Sequence, residues 1–224
     1  MEEIRISGRL RRDAHSVWEK LLSHPFVVEL YAGTLPMDKF RFYVLQDYNY
    51  LVAMMKNLAI LASKAVSIRA MRAMLEIAHL EASSEFSSYD ELLHTLGYSI
   101  EDAAGAEPSE VNVSYMSYLL STSSLKTFWE GLAATLPCFW SYAEIAKANK
   151  ERLTNNSNAI YTEWASVYLT ESYQKLVDEM RGLLDESDAE YEALKQAFIT
   201  ASKYEFRYWD MAYNMRGWAL PPNL

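Results

Sequence analysis

The sequence contains few of the residues that interrupt helices, form disulfides or build metal sites. Its 224 residues include only seven glycines and six prolines, together about half the usual share. An all-β fold needs many turns, so this scarcity favours a mostly helical protein. The single cysteine, Cys138, excludes an internal disulfide and any multi-cysteine metal site. We therefore expect an all-α chain without a disulfide framework.

Basic residues and long apolar runs are also scarce. The chain has 21 basic and 30 acidic residues, a net charge of −9, whereas proteins that bind phosphates or anionic membranes need a basic face. No apolar stretch approaches the roughly 20 residues of a spanning helix. The charged start, Met1 to Arg5, lacks the apolar core of a secretory signal. These features predict a cytoplasmic protein that binds neither nucleic acid nor membrane.

Apolar residues recur at helical spacing along most of the chain. The spacing predicts helices over about 8–23, 25–33, 36–65, 67–97, 112–121, 124–149, 160–182 and 188–217. Residues 98–112 are predicted to form a connection, and Ser187 and Glu190 have the spacing of a capping box. No repeat, low-complexity tract or charge block divides the chain. We predict one domain, residues 1–224, with seven or eight helices in a bundle.

Two carboxylates interrupt the apolar stripes of the long predicted helices. Asp47 and Glu205 occupy the stripes Phe40-Tyr43-Asp47-Tyr50-Met54 and Phe198-Ala201-Glu205-Tyr208-Ala212. Burying an ionised carboxylate without a partner costs several kcal/mol. Each acid therefore needs a partner, a raised pKa or a ligand. A structural hydrogen bond to one of the 16 tyrosines, or a salt bridge, is the alternative to a binding site.

Cys138 directly follows Pro137 inside the predicted helix 124–149. Proline removes a backbone donor, so the helix is expected to kink or begin again here. A cysteine in a fresh first turn gains thiolate stabilisation from free N–H groups; the alternative is a small buried hydrophobe. Tyr142 lies one turn further on the same face. Tyrosines, two carboxylates and a thiol on the seams predict a pocket for a flat, nitrogen-rich ring.

A metal site is the rival interpretation. Glu76-x-x-His79 and Glu91-x-x-His94 have the spacing found in di-iron carboxylate bundles. If one helix carries both pairs, about 22 Å of helix axis separates them, so they cannot share a metal pair. With four histidines in the whole chain, we predict that no metal is bound.

Three motifs that run in order along nearly the whole chain resemble the TenA family (thiaminase II, aminopyrimidine aminohydrolase). The first joins His24-Pro25-Phe26-Val27 and Gly33-Thr34-Leu35-Pro36 to Phe40-x-x-Tyr43-x-x-Gln46-Asp47-Tyr48-x-Tyr50-Leu51. The second and third are Leu136-Pro137-Cys138-Phe139-Trp140-x-Tyr142-x-Glu144-Ile145 and Tyr204-Glu205-x-x-Tyr208-Trp209-Asp210-Met211-Ala212. Cys138 places the resemblance in the family's cysteine-containing branch.

The resemblance implies a haem-oxygenase-like all-α fold, a homotetramer, and no haem, metal or other cofactor. It implies a hydrolase of thiamin salvage that converts 4-amino-5-aminomethyl-2-methylpyrimidine to the hydroxymethyl pyrimidine and ammonia. Cleavage of thiamin is a related activity. Two alternatives remain: a non-catalytic pyrimidine-binding or regulatory protein of the same fold, and a di-metal oxidase on that fold.

The resemblance also assigns roles to residues. It implies Cys138 as the nucleophile and Glu205 as the acid that protonates a ring nitrogen, since a desolvated carboxyl has a raised pKa. Asp47 is expected to bind the edge where the amino group and a ring nitrogen lie side by side. The expected substrate-binding residues are Asp47, Tyr50, Tyr115, Tyr142 and Tyr168.

Overall fold

The computed structural model describes residues 5–219, and all regular structure in that range is helical. Its α-helices are α1 Ile6–Asp13, α2 His15–Leu22, α3 Pro25–Ala32, α4 Met37–Lys64, α5 Ile68–Leu80, α6 Phe86–Leu96, α7 Ile100–Gly105, α8 Glu110–Leu125, α9 Phe128–Ala148, α10 Lys150–Thr154, α11 Ala159–Ser166, α12 Glu171–Leu184 and α13 Tyr191–Asn214. A π-helical turn, Glu81–Glu85, joins α5 to α6, and a 3₁₀ turn, Val167–Leu169, follows α11. The all-α prediction is confirmed. None of these helices is long and apolar enough to cross a membrane.

Helix α9 lies at the centre of the bundle. It packs against α13, α8 and α12 and is buried along nearly its whole length. A Cβ atom at Gly131 would lie 2.6 Å from a methyl group of Leu61 on α4 and 2.9 Å from the Ser123 hydroxyl on α8. Glycine is therefore what lets α9 approach both neighbours this closely.

Two of the predicted helix ends are confirmed by their caps. Gly33 follows α3 with φ of +77°, the left-handed conformation that glycine adopts without steric cost. The Ser67 side chain accepts a hydrogen bond from the Ala70 N–H at the start of α5. These caps fix where α3 ends before α4 and where α5 returns alongside it.

Several predicted helices are wrong in their bounds. Residues 8–23 form two helices that divide at Ala14, residues 67–97 are interrupted by the π-helical turn, and residues 160–182 divide at the 3₁₀ turn. Residues 98–112 are not merely a connection, because Ser99 and Asp102 form a capping box that starts α7. The start of α7 depends on hydrogen bonds made by short polar side chains, which apolar periodicity does not register.

The predicted capping box at Ser187 is also wrong. Helix α13 begins after Glu190, which makes no side-chain cap, and the Ser187 hydroxyl instead accepts a hydrogen bond from the Ala189 N–H. The predicted restart at Pro137 is not seen, since α9 is helical from Phe128 to Ala148. Packing on all sides of α9 offsets the backbone hydrogen bond that proline removes.

Buried amides align α4 with its neighbours. The Asn57 side chain donates to the Thr135 hydroxyl of α9 at 2.8 Å. The Gln46 side chain accepts from the Ser109 N–H at 2.8 Å, and Asn112 of α8 donates to the Gln46 carbonyl at 2.6 Å. Because buried amides must be satisfied, these bonds set the register of α4 against α8 and α9. That register determines which α4 side chains face the cavity described next.

Candidate active site

One face of α4 borders a cavity between α4, α9, α11 and the π-helical turn. Tyr43, Asp47 and Tyr50 are spaced by four and three residues, so they share this face. The cavity has two chambers that meet at the same four residues: Tyr43, Asp47, Glu85 and Tyr168. The predicted apolar seam of α4 is therefore the wall of a pocket.

The outer chamber is the larger one, with a volume of about 240 Å³. Its remaining wall includes Tyr89, Glu91, Glu163 and Trp164. The inner chamber has a volume of about 50 Å³ and reaches Cys138. Its remaining wall consists of Tyr50, Leu51, Met54, Glu81, Cys138, Phe139, Tyr142 and Tyr173. The thiol thus lies in the smaller of two adjoining chambers, whose walls include aromatic rings and carboxylates.

Tyr142 connects the thiol's helix to the aromatic wall. It follows Cys138 by one turn of α9, and its hydroxyl lies 3.2 Å from the Tyr43 hydroxyl. The Tyr142 ring packs against Tyr168 with centroids 4.9 Å apart. Tyr142 is therefore held from two sides, and its position beside the chamber is fixed by packing.

The environment of Cys138 disfavours the thiolate. Burial raises the pKa of the thiol well above its usual value, and the negative charge of Glu205 raises it further. The nearby Tyr50 hydroxyl acts in the opposite direction and lowers the pKa of the thiol. The expected stabilisation by a fresh helix N-terminus is wrong, because α9 runs through Pro137 without starting again. Cys138 therefore carries its proton near neutral pH in the empty site.

Glu205 lies behind the chamber and is only 3% exposed. Its carboxylate accepts a hydrogen bond from the Tyr115 hydroxyl at 2.5 Å, and the Tyr115 ring packs 5.2 Å from that of Tyr50. Burial raises the pKa of Glu205 to about 7, although the Tyr115 hydrogen bond lowers it. The carboxyl can therefore gain or lose a proton near neutral pH.

The structure brings most of the predicted site residues together. Asp47, Tyr50, Cys138, Tyr142 and Tyr168 all line the inner chamber. Glu205 and Tyr115 form a separate pair one layer behind Tyr50 and are not part of either wall as described. The charge of Glu205 nevertheless acts on both Cys138 and Asp47. The predicted site residues therefore fall into two groups: those that line the inner chamber, and the buried Glu205–Tyr115 pair.

Two further site residues, Glu81 and Glu85, are not predicted by the sequence patterns. Both line the inner chamber from the π-helical turn, a kind of helix distortion that is frequent at functional sites. Their spacing of four residues on one helical face was the available signal, but it is shared by many solvent-exposed pairs. Glu76, His79, Glu91 and His94 do not line the inner chamber. Within residues 5–219 no group of three His, Cys, Asp or Glu side chains converges as a metal site.

The sequence and the fold both identify the class of protein. The model of the TENA/THI-4/PQQC family matches residues 11–215, so the chain belongs to this family. A Shewanella denitrificans domain described as having a heme oxygenase-like fold superposes with a TM-score of 0.76 at 16% identity, covering 92% of this chain and 91% of that one. The predicted family and the haem-oxygenase-like fold are confirmed.

Particular members of the family are considerably more similar. The chain is 36% identical to the aminopyrimidine aminohydrolase of Helicobacter pylori, over 94% of this chain and 99% of the relative. A TenA homologue from P. horikoshii OT3 is 46% identical and superposes with a TM-score of 0.91, covering 94% of this chain and 99% of that chain.

Proposed function

We propose that this chain is an aminopyrimidine aminohydrolase of the thiaminase II type. It hydrolyses 4-amino-5-aminomethyl-2-methylpyrimidine to the hydroxymethyl pyrimidine and ammonia in thiamin salvage, and thiamin cleavage is a related activity. The observation that carries the proposal is the Cys138 thiol in a chamber that also contains the Asp47 carboxylate. The named activity of the Helicobacter pylori relative supports the same reaction.

Asp47 is the residue proposed to orient the ring. An aminopyrimidine presents an amino donor beside a ring nitrogen, and a carboxyl group is complementary to that edge. Asp47 lines both chambers and has no hydrogen-bond or ion-pair partner in residues 5–219. Tyr142 and Tyr168 would then pack against the ring faces, and Tyr50 would hold the thiol or the ring edge.

The reaction is proposed to proceed through a covalent adduct. The sulfur of Cys138 adds to the ring carbon next to the substituted one, while a ring nitrogen gains a proton. The enamine so formed expels ammonia from the methylene carbon, water adds there, and the sulfur then leaves as the ring regains its aromaticity. Nucleophilic catalysis of this kind divides one difficult displacement into easier steps.

The proton that the ring nitrogen gains is proposed to come from Cys138 and to be transferred by Glu205. With the Cys138 pKa raised well above its usual value and the Glu205 pKa raised to about 7, the resting pair above pH 7 is a thiol and a carboxylate. Glu205 takes the thiol proton as the sulfur adds and returns it to the ring nitrogen. Tyr115 positions Glu205 through its hydroxyl.

The setting proposed for the enzyme is a cytoplasmic homotetramer that uses no cofactor, metal or nucleic acid. Large apolar side chains are exposed on and around α5: Val66, Ile68, Leu75 and Leu80. Large exposed apolar side chains favour association between protein chains. Sedimentation of the wild-type protein and of Leu75→Lys tests this arrangement, since a monomeric wild type would contradict it.

The experiment that tests the function compares wild type with Cys138→Ser. Ammonia release from the aminomethyl pyrimidine should fall at least about a hundredfold, roughly 2.7 kcal/mol at 1.36 kcal/mol per decade. Pyrimidine affinity by calorimetry should stay within about tenfold, because Asp47 and the tyrosines remain in place. Near wild-type turnover would remove Cys138 from the mechanism. Tight binding by a wild-type protein that releases no ammonia would identify a pyrimidine-binding protein instead.

A further inference from the structure

Three carboxylates face the inner chamber without any positive charge beside them. Glu81 and Glu85 come from the π-helical turn, and Asp47 comes from α4. The chamber wall contains no lysine, arginine or histidine. None of the three acids forms an ion pair or hydrogen bond with another residue in the described part of the chain. This arrangement differs from an ordinary surface cluster, because these side chains are turned into a cavity.

Electrostatics make the empty arrangement unfavourable. Burial first, and then the charges of Glu85 and Asp47, raise the pKa of Glu81 to about 8. Burial first, and then the charges of Glu85 and Glu205, raise the pKa of Asp47 well above its usual value. A cation inside the chamber would offset the mutual repulsion of these carboxylates and stabilise their ionised form. The native protein therefore maintains an arrangement that a positively charged ligand would stabilise.

A second, independent feature of the same chamber indicates a ligand. The Tyr50 side chain is only 7% exposed, and its hydroxyl has no hydrogen-bond partner among the described residues. A buried hydroxyl without a partner is costly unless a ligand satisfies it. Tyr50 lines the chamber together with Glu81 and Glu85. The rings of Tyr168 and Tyr173 complete the wall and offer faces suited to a cation.

We propose that Glu81 and Glu85 form the site for the positively charged group attached to the pyrimidine methylene, so that the enzyme selects cationic substrates over its neutral product. This inference rests on the proposed function. Cys138 attacks the ring carbon next to the one that bears the substituent, so the substituent must lie close to Cys138. Glu81 and Glu85 border that same small chamber, whereas Asp47 is engaged with the amino edge of the ring.

The chemistry of the substituents explains the selection. An aminomethyl group is an ammonium near neutral pH and offers three N–H donors, and a thiazolium is a permanent cation. The hydroxymethyl product has no charge. Hydrogen bonds between an ammonium and carboxylates are charge-assisted and stronger than neutral ones. The two glutamates would thus hold the substrate more tightly than the product, which favours product release after each turnover.

Ligand binding to the Cys138→Ser protein tests the proposal without turnover. Calorimetry gives Kd for the aminomethyl pyrimidine and for the hydroxymethyl product, and the ratio of the two measures charge selection. In the Glu81→Gln, Glu85→Gln double variant we expect that ratio to fall at least tenfold, with product affinity kept within threefold. Each single variant should lower the ratio by a smaller factor, which keeps the test decisive if the double variant does not fold.

Glu91→Gln is the matched control. Glu91 carries the same charge but is exposed and lines only the outer chamber, so the ratio should stay within twofold of the parent. An unchanged ratio in the double variant, or an equal fall in Glu91→Gln, would overturn the inference. Failure of wild type to bind either pyrimidine would instead overturn the proposed function, so the two failures are distinguishable.

Discussion

Two groups of acidic residues lie around the same cavity, and they differ in whether another residue stabilises their negative charge. Glu205 is almost fully buried but has a dedicated donor in Tyr115. Asp47, Glu81 and Glu85 are less buried and have no partner among residues 5–219. Pairing holds the Glu205 pKa at about 7, whereas the Glu81 pKa is raised to about 8. An acid held by a hydrogen-bond donor has a fixed position from which it can transfer a proton. Acids without a partner are stabilised when a cation binds beside them.

Glu205→Gln should have the largest effect. Glutamine retains an oxygen that accepts the Tyr115 hydrogen bond, but it cannot accept and return a proton. We expect kcat to fall about 10²- to 10⁴-fold, the usual contribution of general acid–base catalysis. Pyrimidine affinity should remain within about tenfold. Steady-state ammonia release and calorimetry measure the two quantities, and a kcat within tenfold of wild type would show that Glu205 does not move the proton.

Asp47→Asn should lower affinity more than rate. The substitution preserves size but replaces an acceptor-only group with an amide that also presents donors. Pyrimidine affinity should fall by about 1–3 kcal/mol, the cost of leaving buried polar groups unpaired. Calorimetry measures this loss, and thermal unfolding serves as the control. Normal binding by a severely destabilised variant would identify Asp47 as a structural acid.

Tyr115→Phe should shift the pH dependence of the reaction. The proposed reaction requires an ionised Glu205 beside the Cys138 thiol. Because Glu205 is protonated below about pH 7, kcat/KM of wild type should rise as pH increases through this value. Removing the Tyr115 hydrogen bond raises the Glu205 pKa further, which moves this acidic limb to higher pH by about one unit.

Tyr118→Phe is the control for this shift. It removes a hydroxyl from the same helix, but that hydroxyl donates to the Ala197 carbonyl at 3.2 Å and does not bond to Glu205. The acidic limb should therefore stay in place. If both variants shift it equally, the effect arises from α8 packing and not from the Tyr115–Glu205 pair.

Glu81→Gln should have the smallest effect, a gain in stability of the empty protein. The folded pKa of Glu81 is about 8, above its ordinary value of 4.5, so folding binds a proton between these values. Stability from this group is complete below pH 4.5 and is lost as pH rises to about 8. The variant should therefore match wild type near pH 4.5.

Above pH 8 the variant should be more stable by at least about 1 kcal/mol, with a gain of ~2–4 °C in Tm for each kcal/mol. Thermal unfolding at several pH values, without ligand, measures the difference. Equal stability at all pH values would show that Glu81 already has a partner in solution, and the contrast with Glu205 would then disappear.

The long helices and several site residues could be predicted from the chain itself. Asp47 and Glu205 were noticed because a carboxylate on an apolar stripe contradicts the pattern around it. Tyr50, Tyr142 and Cys138 follow from the same seams and from the family motifs. The break at Ala14 could not be predicted because the apolar periodicity runs through it, and α7 could not be predicted because its start depends on the Ser99–Asp102 capping box.

The sequence alone determined the all-α class, the family and the acids that need a partner, since these depend on composition, periodicity and motifs within single helices. Only the tertiary structure decided which acids have partners. Tyr115 and Glu205 are 90 residues apart and meet because α8 packs on α13. Glu81 and Glu85 face Cys138 because α5 returns beside α4 and the π-helical turn borders the chamber. Distances between helices depend on packing of the whole core, and no local pattern in the chain encodes them.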